Sequence, residues 1–466
     1  CQVIDFIDHM AEESLYEVTK KFITPETVIL GLSTTFIALT YHTHSDGVRR
    51  NLPEHVMNVI KRIKNEYPKI KIVIGGYQSE KMKGYGIIDA TIMTYTEAPE
   101  DIFIEYLDYL VKGSEPPHSY ECHHDKRPIY DKANNPKYNI EVDDFRFTKQ
   151  DCVLPNEPLP LDVSRGCIFA CRFCQYPHLG KKKFDYIRGM DYLEQEILHN
   201  YNEFGTTMYL LMDDTFNDSE HKMKAFYEMT RRLPFKIQYS TYLRADLIHR
   251  FPDMTHYLKD SGLFGAFFGL ESLHPTASNI VGKAWSGKHA KEYVPDLYHN
   301  IWNGEIPIHV NFIVGITGDT IENVNGTVDW FIQNKLHSIN FERLSLHGPD
   351  DAPVWTVKSE FDKNASKYGY TIMEPNNNSI FANWETDNWT RDIATHYANE
   401  ANKNTLRYKK INPWSIPSYM WQGTSKETIL TRYAKDYPGI SDQINGEKAV
   451  KSREIIASYI NLLIDI

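Results

Sequence analysis

The sequence predicts an α/β protein in three parts: a doubly wound parallel sheet, an open partial barrel of six βα units, and a mainly helical cap. Two tracts in which strand and helix patterns alternate predict the first two parts, and the loss of that alternation after Pro349 predicts the third. The boundaries fall at residues 1–115 for the sheet domain, 116–155 for a linker, 156–350 for the barrel and 351–466 for the cap.

In the first tract, "VILGLSTTF" from Val28 is a short apolar run ending in hydroxyl residues. The following "LPEHVMNVIKRIKNEYP" places Leu52, Val56, Val59, Ile60 and Ile63 on one helical face. A β-branched strand, "KIKIVIGGYQ", stops at Gly75 and Gly76; "IIDATIM" is a further strand, and "APEDIFIEYLDYLVKG" reads as a helix closed by Gly113. Strands alternating with helices make a parallel sheet whose ligands lie beyond the strands' carboxyl ends. The opening "CQVIDFID" reads as a strand already inside this domain. One strand and one helix, on the order of 20–30 residues at usual element lengths, are therefore expected before it. From residue 114 to 155 the chain is rich in Pro, Asp, His and Asn without a period, which suits a surface linker.

In the second tract the strands are "PLDVS", "MYLLMD", "KIQYST", "AFFGLE", "IHVNFIVG" and "SINFERLS". Between them lie helical stretches such as "YLEQEILHNYNEFG", whose Leu193, Ile197, Tyr201 and Phe204 share a face. By analogy with complete (β/α)₈ barrels, functional residues belong at the carboxyl ends of these strands. The tail holds Trp355, Trp384, Trp389, Trp414 and Trp421 and a terminal amphipathic helix, "SREIIASYINLLI". Its aromatics read as the core of a helical cap, a reading compatible with a lid over a substrate entrance.

Composition narrows the function. With 41% hydrophobic and 24% charged residues in 466, the chain is ordinary globular material with room for two or three cores. No run approaches the roughly 18 apolar residues of a bilayer span, and the N-terminus lacks a basic-then-apolar signal, so a cytoplasmic protein without a membrane role is expected. The sequence opens on Cys1 rather than a methionine. A net charge of -11 argues against broad binding to a nucleic-acid backbone, which needs clustered Lys and Arg.

The six cysteines, Cys1, Cys122, Cys152, Cys167, Cys171 and Cys174, are too few and too unevenly spaced for a disulfide framework. Three of them form C-x3-C-x2-C in "VSRGCIFACRFCQYPHLGKKK", directly after the first barrel strand. Three thiolates do not complete a structural zinc site unless His178 joins them, and no histidine follows at a usual finger spacing. A 4Fe-4S cluster normally takes four cysteines, so three leave one iron open to a substrate or cosubstrate. Cys122 with His123 and His124 reads as linker rather than as a second metal site.

The motif, its place after the first barrel strand and the segments around it resemble the radical S-adenosylmethionine (SAM) superfamily over roughly residues 156–350. The resemblance implies that Cys167, Cys171 and Cys174 hold a 4Fe-4S cluster whose open iron chelates SAM, and that an electron entering the sulfonium yields a 5′-deoxyadenosyl radical. Phe173 fits the family's aromatic between the last two cysteines. "DDTFN", "LRADL", "GLES" and "FIVGITGDT" resemble a subgroup with an N-terminal cobalamin-binding domain on a flavodoxin-like sheet, to which the anaerobic cyclase of bacteriochlorophyll synthesis belongs.

In that resemblance Met212, Asp213 and Asp214 end the second barrel strand near the SAM ammonium, with helix capping as the other reading of either aspartate. Ser240 and Arg244 end the third strand, where Arg244 would pair with the SAM carboxylate or else remain a surface arginine. Glu271 and Ser272 end the fourth near the ribose or methionyl part, and Val314 and Gly315 end the fifth, where backbone passes close to adenine. In the first domain, Ser33 and Thr34 would lie near the cobalamin nucleotide tail, with Gly75 and Gly76 allowing close backbone approach. The subgroup's Gly-Glu-Gly-Glu is replaced by "TYTEAPE", which keeps only Glu97, and no D-x-H-x-x-G loop is visible. His42 and His44 read as a solvent-facing loop pair or as axial ligands.

Three functions stay open at this point. The first is cobalamin-dependent methyl transfer to an unactivated carbon or to phosphorus of a small-molecule or peptide substrate. The second is cyclisation, oxidation or rearrangement by the deoxyadenosyl radical alone; the third is a non-catalytic metal-binding protein. The first two imply an electron donor such as flavodoxin or ferredoxin.

Overall fold

The computed structural model describes residues 10–413 apart from 35–39, 45–46, 77–78, 80–81, 83–85, 94–98, 123–124, 176–185, 284, 348–357, 374–381 and 411, together with 2–4, 7, 457, 459–461 and 463; for residues 40–50 it describes the backbone alone. Glu97, His123, His124, His178, Trp355, Trp414, Trp421 and the side chains of His42 and His44 thus lie outside the described residues.

The first domain runs α1 (Glu12–Lys21), β1 (Ile29–Ser33), β2 (Thr40–His44), β3 (Gly47–Asn51), α2 (Glu54–Glu66), β4 (Lys71–Gly75), β5 (Ala90–Ile92), α3 (Pro99–Lys112), β6 (His118–Glu121) and β7 (Pro128–Lys132). Its sheet has the order β1-β4-β5-β7-β6, parallel except where β6 meets β7. Alternation along β4 decides which helix covers which face. Ile72 and Ile74 join Val56, Val59, Ile60 and Ile63 of α2 and Leu15 of α1 in one core, whereas Val73 joins Ile102 and Tyr106 of α3 in another. Each such buried side chain contributes about 1.5–3 kcal/mol.

Four features differ from the sequence expectation. Residues 2–4 and 7 form no strand, and the helix that leads into β1 is α1, whose apolar positions are diluted by charge. The His42 and His44 backbone belongs to a β2–β3 hairpin rather than a loop. The stretch read as linker contributes β6 and β7, too short and too polar to show a period. Tyr459 and Leu463 of the terminal helix are buried in the α1–α2 core, and Lys21 Nζ donates to Leu463 O at 2.9 Å, so the chain's end packs on its first domain.

The six predicted barrel strands are present as β8 (Leu159–Leu161), β9 (Met208–Leu211), β10 (Gln238–Leu243), β11 (Leu263–Glu271), β12 (Ile308–Val314) and β13 (Ser338–Arg343). They lie side by side in chain order, all parallel. The helices between them are α4 (Met190–Phe204), α5 (Glu220–Thr230), α6 (Ala245–Arg250), α7 (Asp253–Asp260), α8 (Pro275–Ile280), α9 (Gly287–Asp296) and α10 (Ile321–Gln333). On α4 the predicted face holds at Leu193 and Ile197, while Tyr201 is exposed and stacks on Phe235 at 3.8 Å. The helix side of the sheet is aromatic, with Phe216, Phe226 and Tyr239 edge to face and Phe312 against Trp330.

The cap comprises α11 (Glu360–Lys363), a hairpin of β14 (Thr371–Met373) and β15 (Asn383–Glu385), and α12 (Arg391–Thr405). Asn402 on α12 acts as a substitute strand for β13: its Oδ1 accepts from Phe341 N at 3.1 Å and its Nδ2 donates to Phe341 O at 2.7 Å. An open edge strand is thereby covered. Trp384 and Trp389 are buried, and their indole N–H groups donate to Leu344 O and Asp319 O at 3.2 and 3.0 Å. These two tryptophans are core. Among the described residues, no helix is long and apolar enough to cross a membrane.

Candidate active site at the barrel mouth

The chain leaves β8 into the segment carrying the three cysteines, and a buried network fixes its path. Asp213, fully buried after β9, accepts from Val163 N at 3.0 Å and from the Ser164 hydroxyl, and faces Lys222 Nζ at 3.4 Å. Lys222, itself fully buried, also lies 2.9 Å from Asp218, whose carboxylate accepts from Tyr186 at 2.7 Å. Burial pushes the Asp213 carboxyl up to about 6, and Lys222 and Ser164 oppose that shift. Neither aspartate caps α5, a task performed by Ser219. Asp213 is thus turned inward, toward the network; Met212 beside it is 39% exposed.

Beyond this anchor, Cys167 is buried, with its sulfur 3.5 Å from Thr215 Oγ1, and Cys171 and Cys174 are half-buried. Burial pushes the Cys167 thiol up, so its thiolate calls for a cationic partner. The loop between Cys171 and Cys174 is clamped from two sides. Arg172 N donates to Val281 O and its guanidinium to Ile280 O, at 3.0 and 2.9 Å, while Arg172 O accepts from Phe361 N of the cap at 2.9 Å. Gln175 continues the clamp, donating to Ser345 O and Asp362 Oδ2 at 3.1 Å each. Burial opposes ionisation of Asp362, but hydrogen bonds from His347 and Ser359 outweigh it and hold its carboxyl below the usual range.

Arg244, which follows β10, grips a carboxylate of this chain. Its Nε and Nη2 meet Asp246 at 3.0 and 2.7 Å, Nη2 also donates to Lys283 O at 3.0 Å, and Nη1 donates to Cys171 Sγ at 3.8 Å. The guanidinium stacks 3.9 Å over Phe169. Glu271, at φ +65°, turns its carboxylate to Lys283 Nζ at 2.6 Å, and that ammonium also donates to Gly269 O at 2.7 Å and lies 5.9 Å over the Phe173 ring. Ser272 donates to Asp319 at 2.5 Å. Ser240 is buried inside β10, and Val314 is buried at the end of β12. Gly315 has φ +103°, and a Cβ there would lie 2.3 Å from the Trp384 ring, so the cap fills the space beside it. In the first domain Thr34 donates to Gly75 O through its amide at 2.8 Å and its hydroxyl at 2.9 Å, tying the ends of β1 and β4, and Gly76 follows at φ +92°.

No three His, Cys, Asp or Glu side chains among the described residues converge closely enough to share one metal ion. A four-iron cluster makes no such demand, because each thiolate binds a different iron. The donor set fits it: three sulfurs on one loop at the mouth of a parallel barrel, one of them facing a guanidinium that balances anionic sulfur. Thr215, Lys222, Asp246 and Lys283 were missed from sequence. Thr215 stands inside "DDTFN" beside the aspartates that drew attention, whereas Lys283 reaches Glu271 from 12 residues away with no motif to announce it.

An open parallel barrel with three thiols after its first strand defines a class of enzyme. Residues 161–331 match the family model described as the radical SAM superfamily, so the chain carries a radical SAM domain, and with it the requirement for a 4Fe-4S cluster and SAM. The bacteriochlorophyllide d C-12(1)-methyltransferase of Chlorobaculum tepidum is 21% identical over 280 residues, 59% of this chain and 57% of that enzyme. The chain thus spans little more than half the length of this curated relative. Among solved structures, the radical SAM methyltransferase TsrM from Kitasatospora setae, with cobalamin and [4Fe-4S] cluster bound, matches at a TM-score of 0.53 and 14% identity over 77% of this chain and 69% of its own. The cobalamin-dependent SAM radical enzyme OxsB, with aqua-cobalamin and SAM bound, matches at 0.55 and 13% identity over 96% of this chain and 72% of its own. At these identities the likeness is one of fold, and it extends over both domains.

Proposed function

We propose that this protein is a cobalamin-dependent radical SAM methyltransferase that transfers a methyl group to an unactivated centre of a small-molecule or peptide substrate. The observation that carries this reading is the facing of the two domains. Arg165, two residues before Cys167, donates to both carboxylate oxygens of Glu100 in the first turn of α3, at 3.0 and 3.1 Å. This contact brings the carboxyl end of the first sheet to the cysteine loop. A corrinoid held beyond β1 and β4 would therefore face the barrel mouth. The names of the relatives support the same chemistry.

In this reading Cys167, Cys171 and Cys174 hold the cluster, which when bound supplies the electron for reductive cleavage of SAM. Lys222 and Asp213 hold the loop in place, and Arg172 and Gln175 fasten it to the cap. Ser33, Thr34, Gly75 and Gly76 would receive the cobalamin nucleotide tail, with Gly76 kept free of a Cβ. A flavodoxin or ferredoxin would supply the electron. The departure at Glu97 and the engagement of Thr34 with Gly75 favour a second reading, deoxyadenosyl-radical chemistry without cobalamin. Titration with hydroxocobalamin decides between them. Binding at tens of micromolar or below that Gly76→Val weakens supports methyl transfer, whereas no binding leaves the second reading.

A further inference from the structure

Four of the five N–H donors of Arg244 are taken by Asp246, Lys283 O and Cys171 Sγ, which leaves no free pair of N–H groups for a bidentate grip on the carboxylate of SAM. The side chain has little freedom to swing away. It is 6% exposed, stacked on Phe169 of the cysteine loop itself, and its salt bridge to Asp246 is largely buried. A guanidinium fixed against a cluster sulfur does two things. Its N–H and its positive charge both favour the more negative, reduced cluster, and so raise the reduction potential. Asp246 works in the opposite direction by neutralising part of that charge.

We propose that Arg244 and Asp246 form a potential-setting pair for the cluster, with Arg244 acting as a positioning residue through Cys171 rather than as the partner of the SAM carboxylate. The inference rests on the reading of the three cysteines as cluster ligands. The step it concerns is the transfer of one electron from an external donor into the cluster, with no bond made or broken.

The test is a potentiometric titration of the anaerobically reconstituted full chain with dithionite and mediators, followed by EPR of the reduced cluster, in the wild type, Arg244→Gln, Arg244→Lys and Asp246→Asn. Arg244→Gln is expected to shift the midpoint to more negative potential, Arg244→Lys to fall between it and the wild type, and Asp246→Asn to shift it the other way. Shifts of opposite sign are not what a general loss of packing produces. Coincident midpoints across the set overturn the proposal, as does a drop in SAM affinity in Arg244→Gln at unchanged potential. Should Arg244→Gln fail to assemble a cluster, Arg244→Lys and Asp246→Asn still decide it by the order of their potentials. A wild-type protein that takes up no cluster would instead refute the ligand assignment, a result separate from all of these.

Discussion

Glu100 and Arg165, 65 residues apart in the chain, meet at 3.0 Å and join the sheet domain to the loop that carries the cysteines. Arg165 is 24% exposed in its side chain and stacks 4.7 Å over Tyr138, so the pair is better ordered than an ordinary surface ion pair. It remains in reach of water. A double-mutant cycle with Glu100→Ala and Arg165→Ala should give a coupling of about 0.5–1 kcal/mol in urea unfolding, the upper part of the range for exposed pairs. A coupling of zero would mean that the two domains do not meet here in solution.

Lys222 holds two buried carboxylates at once, Asp213 and Asp218. Removing it strands both. Lys222→Met should lower stability by about 3–5 kcal/mol, measured by chemical denaturation, and should loosen the cysteine loop through Ser164. A loss below 1 kcal/mol would show that water reaches these carboxylates.

The missing Cβ of Gly315 makes room for Trp384. Gly315→Ala should destabilise by about 1–3 kcal/mol, from the positive φ and the clash together, and should alter the near-ultraviolet circular dichroism of the displaced tryptophan. A variant as stable as the wild type with the same spectrum would contradict this packing.

His309 is buried at 2.9 Å from Ser338 Oγ, and burial, then Lys409 and His337, push its pKa down to about 3. A folded value below the unfolded one means that the contribution to stability is fully present above the unfolded pKa of about 6.5 and is lost as pH falls toward 3. Thermal unfolding of wild type and His309→Gln should therefore diverge on acidification, with the wild type losing more. Parallel curves between these pH values would show that the imidazole is not held neutral.

The barrel was legible because short strands rich in apolar and aromatic residues alternate with helical stretches, so six of them stood out and all six form. The cysteine spacing was equally plain. What stayed hidden depends on contacts between distant segments. Two short polar strands, β6 and β7, show no period, and the terminal helix looks amphipathic wherever it docks. Arg244 was legible as a strand-end arginine, but only the fold shows that Asp246, two residues on, pairs with its guanidinium. Gly315 carries the same lesson, since a glycine at a strand end announces close approach without naming what approaches.

The chemistry proposed for the barrel mouth depends on Cys167, Cys171 and Cys174 holding a 4Fe-4S cluster with an open iron. Iron and sulfide quantitation with EPR of the reduced protein tests it most directly, comparing wild type, the triple alanine variant at these positions, and variants of Cys122 and Cys152, which are buried elsewhere. About four irons per chain are expected in the wild type and in the Cys122 and Cys152 variants, almost none in the triple variant, and a change in the EPR signal when SAM is added to the wild type. A triple variant that still holds about four irons, or a wild-type cluster whose spectrum ignores SAM, would contradict it.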